Sequence, residues 1–207
     1  MLTFCSNRTH LSQVMEKING WQQIVPVSGW RSLKEQQDIF KQSLKDNGRT
    51  FTQQFVALPG KSEHQTGLAI DLGLKKESID FIRPDFPYIG ICQQFREKSV
   101  PYGFIERYPR EKEHITGIAH EPWHFRYVGT PHAEIMREHH FCLEEYIDFL
   151  KRFSQDQPYT FYKDSQEIQI FYLKADTESV SLEVAEDGSL SVSGNNVDGY
   201  IITEWRG

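Results

Sequence analysis

Apolar and polar positions repeat along the chain with two different periods, which predicts a mixture of helices and strands. The helical period is interrupted by turn residues, and the two-residue period marks short runs rich in β-branched and aromatic residues. The predicted helices cover residues 11–18, 33–46, 86–99, 131–140 and 143–153. The predicted strands cover residues 22–27, 67–74, 102–106 and 123–128.

Turn and capping residues set the expected ends of the first two helices. We expect Gly20 to close the first helix in a left-handed conformation. Ser32-Leu33-Lys34-Glu35 reads as a capping box that starts the second helix, and Asn47-Gly48 is expected to end it. Thr50–Lys61 is then predicted to be a loop. Arg31 lies just before the capping box, where, taken by itself, it reads as a surface arginine in a turn.

The last fifty residues have a different pattern from the rest. Runs with strand character cover residues 167–175, 179–184, 190–193 and 199–203, and Asp187-Gly188 predicts a hairpin between the second and third. From Pro158 to Gly207 there are nine acidic and three basic residues, a net charge of −6, which equals the net charge of the whole chain. We therefore predict a domain at residues 1–157 and a small acidic β-rich extension at residues 158–207.

The elements together predict an α+β fold. We expect a central antiparallel sheet with flanking helices around a cleft, plus a small antiparallel β element at the C-terminal end. A chain of 207 residues is long enough for one sizeable core.

Charge and composition exclude several classes of partner. A net charge of −6 argues against a nucleic-acid-binding surface, which needs a basic stripe. No apolar run approaches the roughly 20 residues of a membrane span. The N-terminal residues lack the order of a signal peptide, which favours a cytoplasmic location. Three widely spaced cysteines indicate neither a disulfide framework nor a thiolate metal site, and the oligomeric state is left open.

The candidate chemistry begins in the segment Ser62–Asp71. It places His64 and Asp71 seven residues apart, and Asp71 lies inside an apolar strand. A buried carboxylate needs a cationic partner, which a metal ion would provide. A hydrogen-bonded structural carboxylate is the alternative, and a single histidine in such a segment is more often structural than a ligand.

A second segment, Glu121-Pro122-Trp123-His124, adds another imidazole and another carboxylate. Two histidines and an aspartate can hold a zinc ion and leave one coordination position free. A glutamate three residues from a ligand can activate a water in that position. The strand period places His124 on the same face as Arg126.

Three motifs resemble those of the zinc D-alanyl-D-alanine peptidases. The segment S-E-H-Q-T-G-L-A-I-D is similar to their S-x-H-x-x-G-x-A-x-D signature, and E-P-W-H is similar to their E-x-W-H signature. S-G-W-R-S resembles their arginine segment, with tryptophan in place of the commoner tyrosine. The chain looks like the VanXY-type D,D-dipeptidase/D,D-carboxypeptidases of vancomycin resistance, with matching motifs from Ser28 to Gly129.

The resemblance implies a zinc hydrolase that acts on D-Ala-D-Ala and on the terminal D-Ala of cell-wall precursor peptides. It implies His64, Asp71 and His124 as zinc ligands and Glu121 as the general base. Arg31 would polarise the scissile carbonyl and stabilise its developing negative charge. The remaining candidate substrate contacts are Ser62 for the terminal carboxylate, and Gln65, Gln36 and Trp123 as cleft-lining residues.

Two alternatives stay open at this point. The same scaffold could serve a peptidoglycan endopeptidase or an L,D-carboxypeptidase. A protein of another class, a binding module stabilised by zinc, is less compatible with the sequence. It has no need of a base such as Glu121, and structural zinc sites usually have four protein ligands where three are found here.

Overall fold

The computed structural model describes residues 3–175 and 189–206, in which eight strands form two four-stranded sheets. The chain divides into two compact units, residues 1–142 and residues 143–207. The helices are α1 Thr3–Lys17, α2 Leu33–Phe55, α3 Gly90–Ser99, α4 Glu113–Thr116, α5 His132–His139 and α6 Leu143–Leu150. The strands are β1 Ile24–Ser28, β2 Ala69–Leu74, β3 Phe104–Tyr108, β4 Glu121–Tyr127, β5 Tyr159–Lys163, β6 Gln166–Lys174, β7 Ser189–Gly194 and β8 Gly199–Arg206.

The sheet of the first unit has the order β1-β2-β4-β3, and every neighbouring pair is antiparallel. Ser28 on β1 lies opposite Asp71 on β2, and Asp71 lies opposite His124 on β4. Residues directly opposite each other in antiparallel strands present their side chains on the same face. The sheet therefore places these three side chains in one row.

A cluster of apolar side chains supports this sheet. Val14 on α1, Phe95 on α3, and Leu72 and Phe125 on the strands are all fully buried. The rings of Phe95 and Phe125 meet edge to face with centroids 4.9 Å apart. Each such side chain contributes roughly 1.5–3 kcal/mol through burial. The α+β class with a central antiparallel sheet is confirmed.

Two predicted helix ends are wrong. Asn19, and not Gly20, adopts the left-handed conformation after α1, with φ of 53°. Helix α2 does not end at Gly48, because it kinks there (φ 79°, ψ 176°) and resumes as far as Phe55. Much of the predicted loop Thr50–Lys61 is therefore helical. Glycine tolerates the positive φ of the kink, so the helix is interrupted at this one residue and continues after it.

The other elements of the first unit lie near their predicted positions. Helix α3 begins at Gly90, four residues later than predicted, and β3 extends to Tyr108. The charged segment from Arg107 to His114 contains the end of β3, a short 3-10 turn and the start of α4.

The second unit contains α6 and an antiparallel sheet of order β5-β6-β8-β7. Its core includes Ile168, Ile170 and Ile202, which are at most 1% exposed. The predicted strand at 179–184 and the hairpin turn at Asp187-Gly188 lie outside the described residues. Helix α6 belongs to this second unit, while the predicted domain boundary at residue 157 stays a prediction. Within residues 3–175 and 189–206, every helix is too short or too polar to cross a bilayer.

Candidate active site

The first two predicted ligands are brought together by a short 3-10 helix and a sharp turn. The helix covers Glu63–Thr66 and carries His64, and it ends at Gly67, whose φ is +73°. An L side chain would strain this conformation, whereas glycine adopts it readily. The chain then enters β2, where Asp71 is buried. As a result, His64 Nε2 lies 3.1 Å from Asp71 Oδ2.

The third predicted ligand comes from β4. His124 lies directly opposite Asp71, and its Nδ1 atom is 2.9 Å from Asp71 Oδ1. One ligand atom from each of His64, Asp71 and His124 lies within 4.8 Å of the others, and all three residues are buried. The structure thus brings together the set that the sequence predicted.

The arrangement of donors and acceptors fits a metal ion. His64 Nδ1 lies 2.7 Å from the carbonyl oxygen of Gly29, which can only accept, so Nδ1 carries the ring proton. Nε2 is then an acceptor that faces the carboxylate of Asp71. Burial lowers the pKa of His64, which disfavours a second ring proton. Two acceptors held together in this way need a cation between them, and imidazole with carboxylate suits zinc.

A bulge in β4 brings Glu121 to the same side as His124. Residues three apart on a regular strand point to opposite faces. Here Glu106 pairs with Phe125 but Tyr108 pairs with Glu121. An advance of two residues along β3 therefore corresponds to four residues along β4. The extra residues turn the start of β4. Glu121 Oε2 consequently lies 3.8 Å from His124 Nδ1.

The surroundings of Glu121 shift its proton affinity. Burial raises the pKa of its carboxyl group to about 8, and the negative charges of Asp71 and Glu63 act in the same direction. His124 and Arg31 oppose the shift. A carboxyl group with a raised pKa can both take up and release a proton near neutral pH, which general acid–base chemistry requires.

Arg31 is fixed in the site by three side chains. Its Nε donates to Ser28 Oγ at 2.9 Å, Nη1 to Gln36 Oε1 at 3.1 Å and Nη2 to Asp71 Oδ2 at 3.1 Å. Gln36 is itself fully buried and donates to the carbonyl of Ala57 at 2.8 Å. The interpretation of Arg31 as a surface arginine is wrong, since its side chain is only 14% exposed.

The predicted substrate contacts occupy different places. Ser62 and Trp123 line the cavity over the three predicted ligands. Gln36 accepts a hydrogen bond from Arg31 Nη1, and Gln65 accepts one from the backbone amide of Gly60 at 2.9 Å. Neither glutamine is part of the cavity wall, so their roles as substrate contacts stay predictions.

The upper wall of the cavity is largely apolar. Phe81 and Ile82 come from the loop between β2 and α3, and the ring centroid of Phe81 lies 5.7 Å from the guanidinium carbon of Arg31. Phe55 and Val56 come from the end of α2, beyond its kink. The cavity therefore combines a polar floor with walls that suit small apolar side chains.

Sequence reasoning missed Glu63, which lies next to His64. Its Oε1 atom accepts from Arg107 Nε at 2.8 Å and lies 3.2 Å from Arg126 Nη1. Burial raises the pKa of Glu63, but the facing His124 and then the two arginines outweigh it and hold that pKa far below its usual range. The sequence did contain one signal for these charges. The prediction that His124 and Arg126 share a strand face placed a cation beside the site.

Comparison with known proteins identifies the family. Residues 6–130 match the VanY family, described as D-alanyl-D-alanine carboxypeptidase. The chain belongs to the VanY family. It is 54% identical over 125 residues to the bifunctional D-Ala-D-Ala dipeptidase and D-Ala-D-Ala carboxypeptidase VanXYC of Enterococcus gallinarum. That match covers 60% of this chain and 66% of the relative, so it spans slightly less than two thirds of the relative's length.

Solved structures of this family have the same fold. The vancomycin resistance D,D-dipeptidase VanXYg, in complex with a D-Ala-D-Ala phosphinate analogue, superposes with a TM-score of 0.94 at 54% identity. The superposition covers 97% of this chain and 80% of VanXYg. A VanY D,D-pentapeptidase mutant from a VanB-type resistance cassette, in complex with Zn(II), has a TM-score of 0.58 at 31% identity. It covers 68% of this chain and 81% of that structure.

Proposed function

We propose that this chain is a zinc-dependent hydrolase that cleaves D-Ala-D-Ala and removes the C-terminal D-Ala of peptidoglycan precursor peptides, in support of vancomycin resistance. The observation that carries the proposal is the convergence of His64, Asp71 and His124 beside Glu121 in one buried site. The similarity to VanXYC, a D-Ala-D-Ala dipeptidase and carboxypeptidase, and to the D,D-dipeptidase VanXYg supports the choice of substrate.

His64, Asp71 and His124 would hold the metal ion. When bound, a zinc ion supplies Lewis acidity toward a peptide carbonyl and toward water. Three protein ligands leave a coordination position for chemistry, whereas structural zinc sites are usually closed by four. The donor set therefore favours a catalytic site over a purely structural one.

The chain's own groups supply the proton transfers and part of the charge stabilisation. Glu121 takes a proton from the attacking water at its carboxylate and delivers it to the departing amine. Arg31 donates to the oxygen of the scissile carbonyl as negative charge develops there. Gln36 keeps the guanidinium in place through its contact with Nη1. A positioned proton shuttle contributes roughly 100- to 10,000-fold to the rate.

The walls of the cavity suit a small D,D-dipeptide end. Ser62 is buried at the cavity and offers a hydroxyl to the terminal carboxylate of the substrate. Trp123 and the apolar residues Phe81 and Ile82 surround the space where methyl side chains would lie. Gln65 and Gln36 would act less directly. The cytoplasmic location expected from the sequence stays a prediction.

A direct assay tests this proposal. The purified chain, with its zinc content quantified, is incubated with D-Ala-D-Ala, D-Ala-D-Ser and a precursor pentapeptide, and the release of free D-amino acid is measured. We expect release from D-Ala-D-Ala and from the pentapeptide, loss of activity with a chelator, and recovery when zinc is added back. L-Ala-L-Ala serves as the control that should not be cleaved.

Two results would contradict the proposal. Cleavage of a tetrapeptide with an L,D end, or of cross-linked muropeptides, in preference to D-Ala-D-Ala would favour the alternative peptidase activities. Unfolding of the chain when zinc is removed, together with no hydrolysis at full zinc occupancy, would favour a zinc-stabilised binding module.

A further inference from the structure

Two buried polar atoms stand out because they lack hydrogen-bond partners. Within residues 3–175 and 189–206, Glu63 Oε2 and His124 Nε2 are the buried side-chain nitrogen or oxygen atoms without one. They face each other across 3.6 Å. Buried polar groups are nearly always paired, so this pair indicates a contact that is almost formed.

The other oxygen of Glu63 is fully engaged. Oε1 accepts from Arg107 Nε at 2.8 Å and lies 3.2 Å from Arg126 Nη1. Arg107 comes from β3, and Arg126 lies two residues after His124 on β4, so the strands that carry the site also hold the carboxylate. The two guanidinium groups fix the direction of the carboxylate and leave Oε2 aimed at the ring of His124.

The two ring nitrogens of His124 face two different carboxylates. Nδ1 faces Asp71 and the ligand set, while Nε2 faces Glu63. A neutral imidazole that offers the lone pair of Nδ1 to a metal ion must carry its proton on Nε2. That proton points at Glu63 Oε2. Histidine ligands commonly donate the other ring N–H to a carboxylate, which fixes the tautomer and the ring orientation.

We infer that Glu63, held by Arg107 and Arg126, is a positioning residue that receives the Nε2 proton of His124 and so prepares Nδ1 as a metal ligand. The inference rests on the proposed zinc site. It gives a role to a buried carboxylate that lies beside the predicted ligand set without belonging to it. It also explains why two arginines are buried beside a centre that would already hold a divalent cation.

Glu63→Gln is a sharp test because it preserves the volume of the side chain. The amide oxygen of glutamine is the atom that the two arginines attract. Its NH2 group would then face His124 Nε2 and favour the lone pair on that nitrogen, which is the wrong tautomer for binding through Nδ1. We expect zinc affinity to fall roughly 10- to 100-fold, the usual cost of losing such a partner. Glu63→Ala, which leaves Nε2 without a carboxylate, should lose affinity by a similar factor.

Glu106→Gln is the matched control. Glu106 is 15% exposed against 14% for Glu63, and each accepts from an arginine Nε at 2.8 Å. Glu106 forms its ion pair with Arg96 away from the three ligands, so its variant should keep the zinc affinity of the unmodified chain. Thermal unfolding of the metal-free proteins shows whether Glu63→Gln and Glu106→Gln are folded to the same degree.

Zinc affinity is measured by competition with a chromophoric chelator, and the visible spectrum of the Co(II)-substituted proteins reports the ligand field. We expect Glu63→Gln to change both and Glu106→Gln to change neither. A Glu63→Gln protein that is folded and has unchanged affinity and an unchanged Co(II) spectrum would overturn the inference. Failure of the unmodified chain to bind zinc would instead overturn the proposed function, and this inference with it.

Discussion

Replacing Arg31 by lysine tests whether the guanidinium acts on the substrate or only supports the metal ligands. The side chain is held at three atoms, by Ser28 Oγ at 2.9 Å, Gln36 Oε1 at 3.1 Å and Asp71 Oδ2 at 3.1 Å. A lysine keeps the positive charge, but its ammonium group is a point donor and cannot reproduce a planar fork of contacts. The variant therefore keeps the positive charge and removes the planar set of three hydrogen bonds that the guanidinium makes.

The expected magnitude follows from the role of a fixed donor at a developing oxyanion. Loss of one such donor costs about 2.7–4 kcal/mol of transition-state stabilisation, which corresponds to a roughly 100- to 1,000-fold decrease in kcat. The KM for D-Ala-D-Ala should change much less, because the donor acts mainly as negative charge develops. The zinc content should stay at the level of the unmodified chain, since His64, Asp71 and His124 are intact.

Initial rates of D-Ala release over a range of D-Ala-D-Ala concentrations, with zinc quantified in the same samples, measure these effects. Arg83→Lys is the control, because Arg83 also lies over aromatic rings, 5.0 Å from the centroid of Phe51, but is not part of the cavity wall over the ligands. A decrease in activity that excess zinc restores would show that Arg31 only supports Asp71. A kcat within threefold of the unmodified chain would refute the oxyanion role.

Two further predictions concern the base and the fold. Glu121→Gln should lower kcat roughly 100- to 10,000-fold while zinc stays bound, because an amide cannot shuttle a proton; retained turnover at normal zinc content would contradict this role. Gly103→Ala should destabilise the fold by more than about 2 kcal/mol in urea unfolding, since a left-handed conformation alone costs about 1–2 kcal/mol. Gly103 has a φ of +89°, and a Cβ there would lie 2.8 Å from the Cα of Gly129. Gly117→Ala, with a φ of +69° and open space around it, is the control that should show only the backbone cost, and equal losses in both variants would refute the steric argument.

The course of α2 shows where local sequence signals were insufficient. Asn47-Gly48 is a strong stop signal, and the helix does kink at Gly48, but it resumes. The hydroxyl groups of Ser43 and Thr52 are 2.8 Å apart across the kink and are both buried, so tertiary packing supports the second half. Phe51 and Phe55 stand at helical spacing and were the available signal. The consequence is functional, because Phe55 at the end of this half lines the cavity.

The three predicted ligands show more clearly what the spacing of motifs along the chain cannot predict. His64 and Asp71 lie in one local segment, so their proximity followed from the sequence. The 52 residues between Asp71 and His124 carried no such information, because the register of β2 against β4 decides which residue of β4 faces Asp71. A shift of that register by one residue would turn His124 to the other face and place a neighbour opposite Asp71. The bulge that brings Glu121 to the same side is likewise a property of strand pairing. The sequence predicted which residues belong to one site, and the pairing of the strands brings them together.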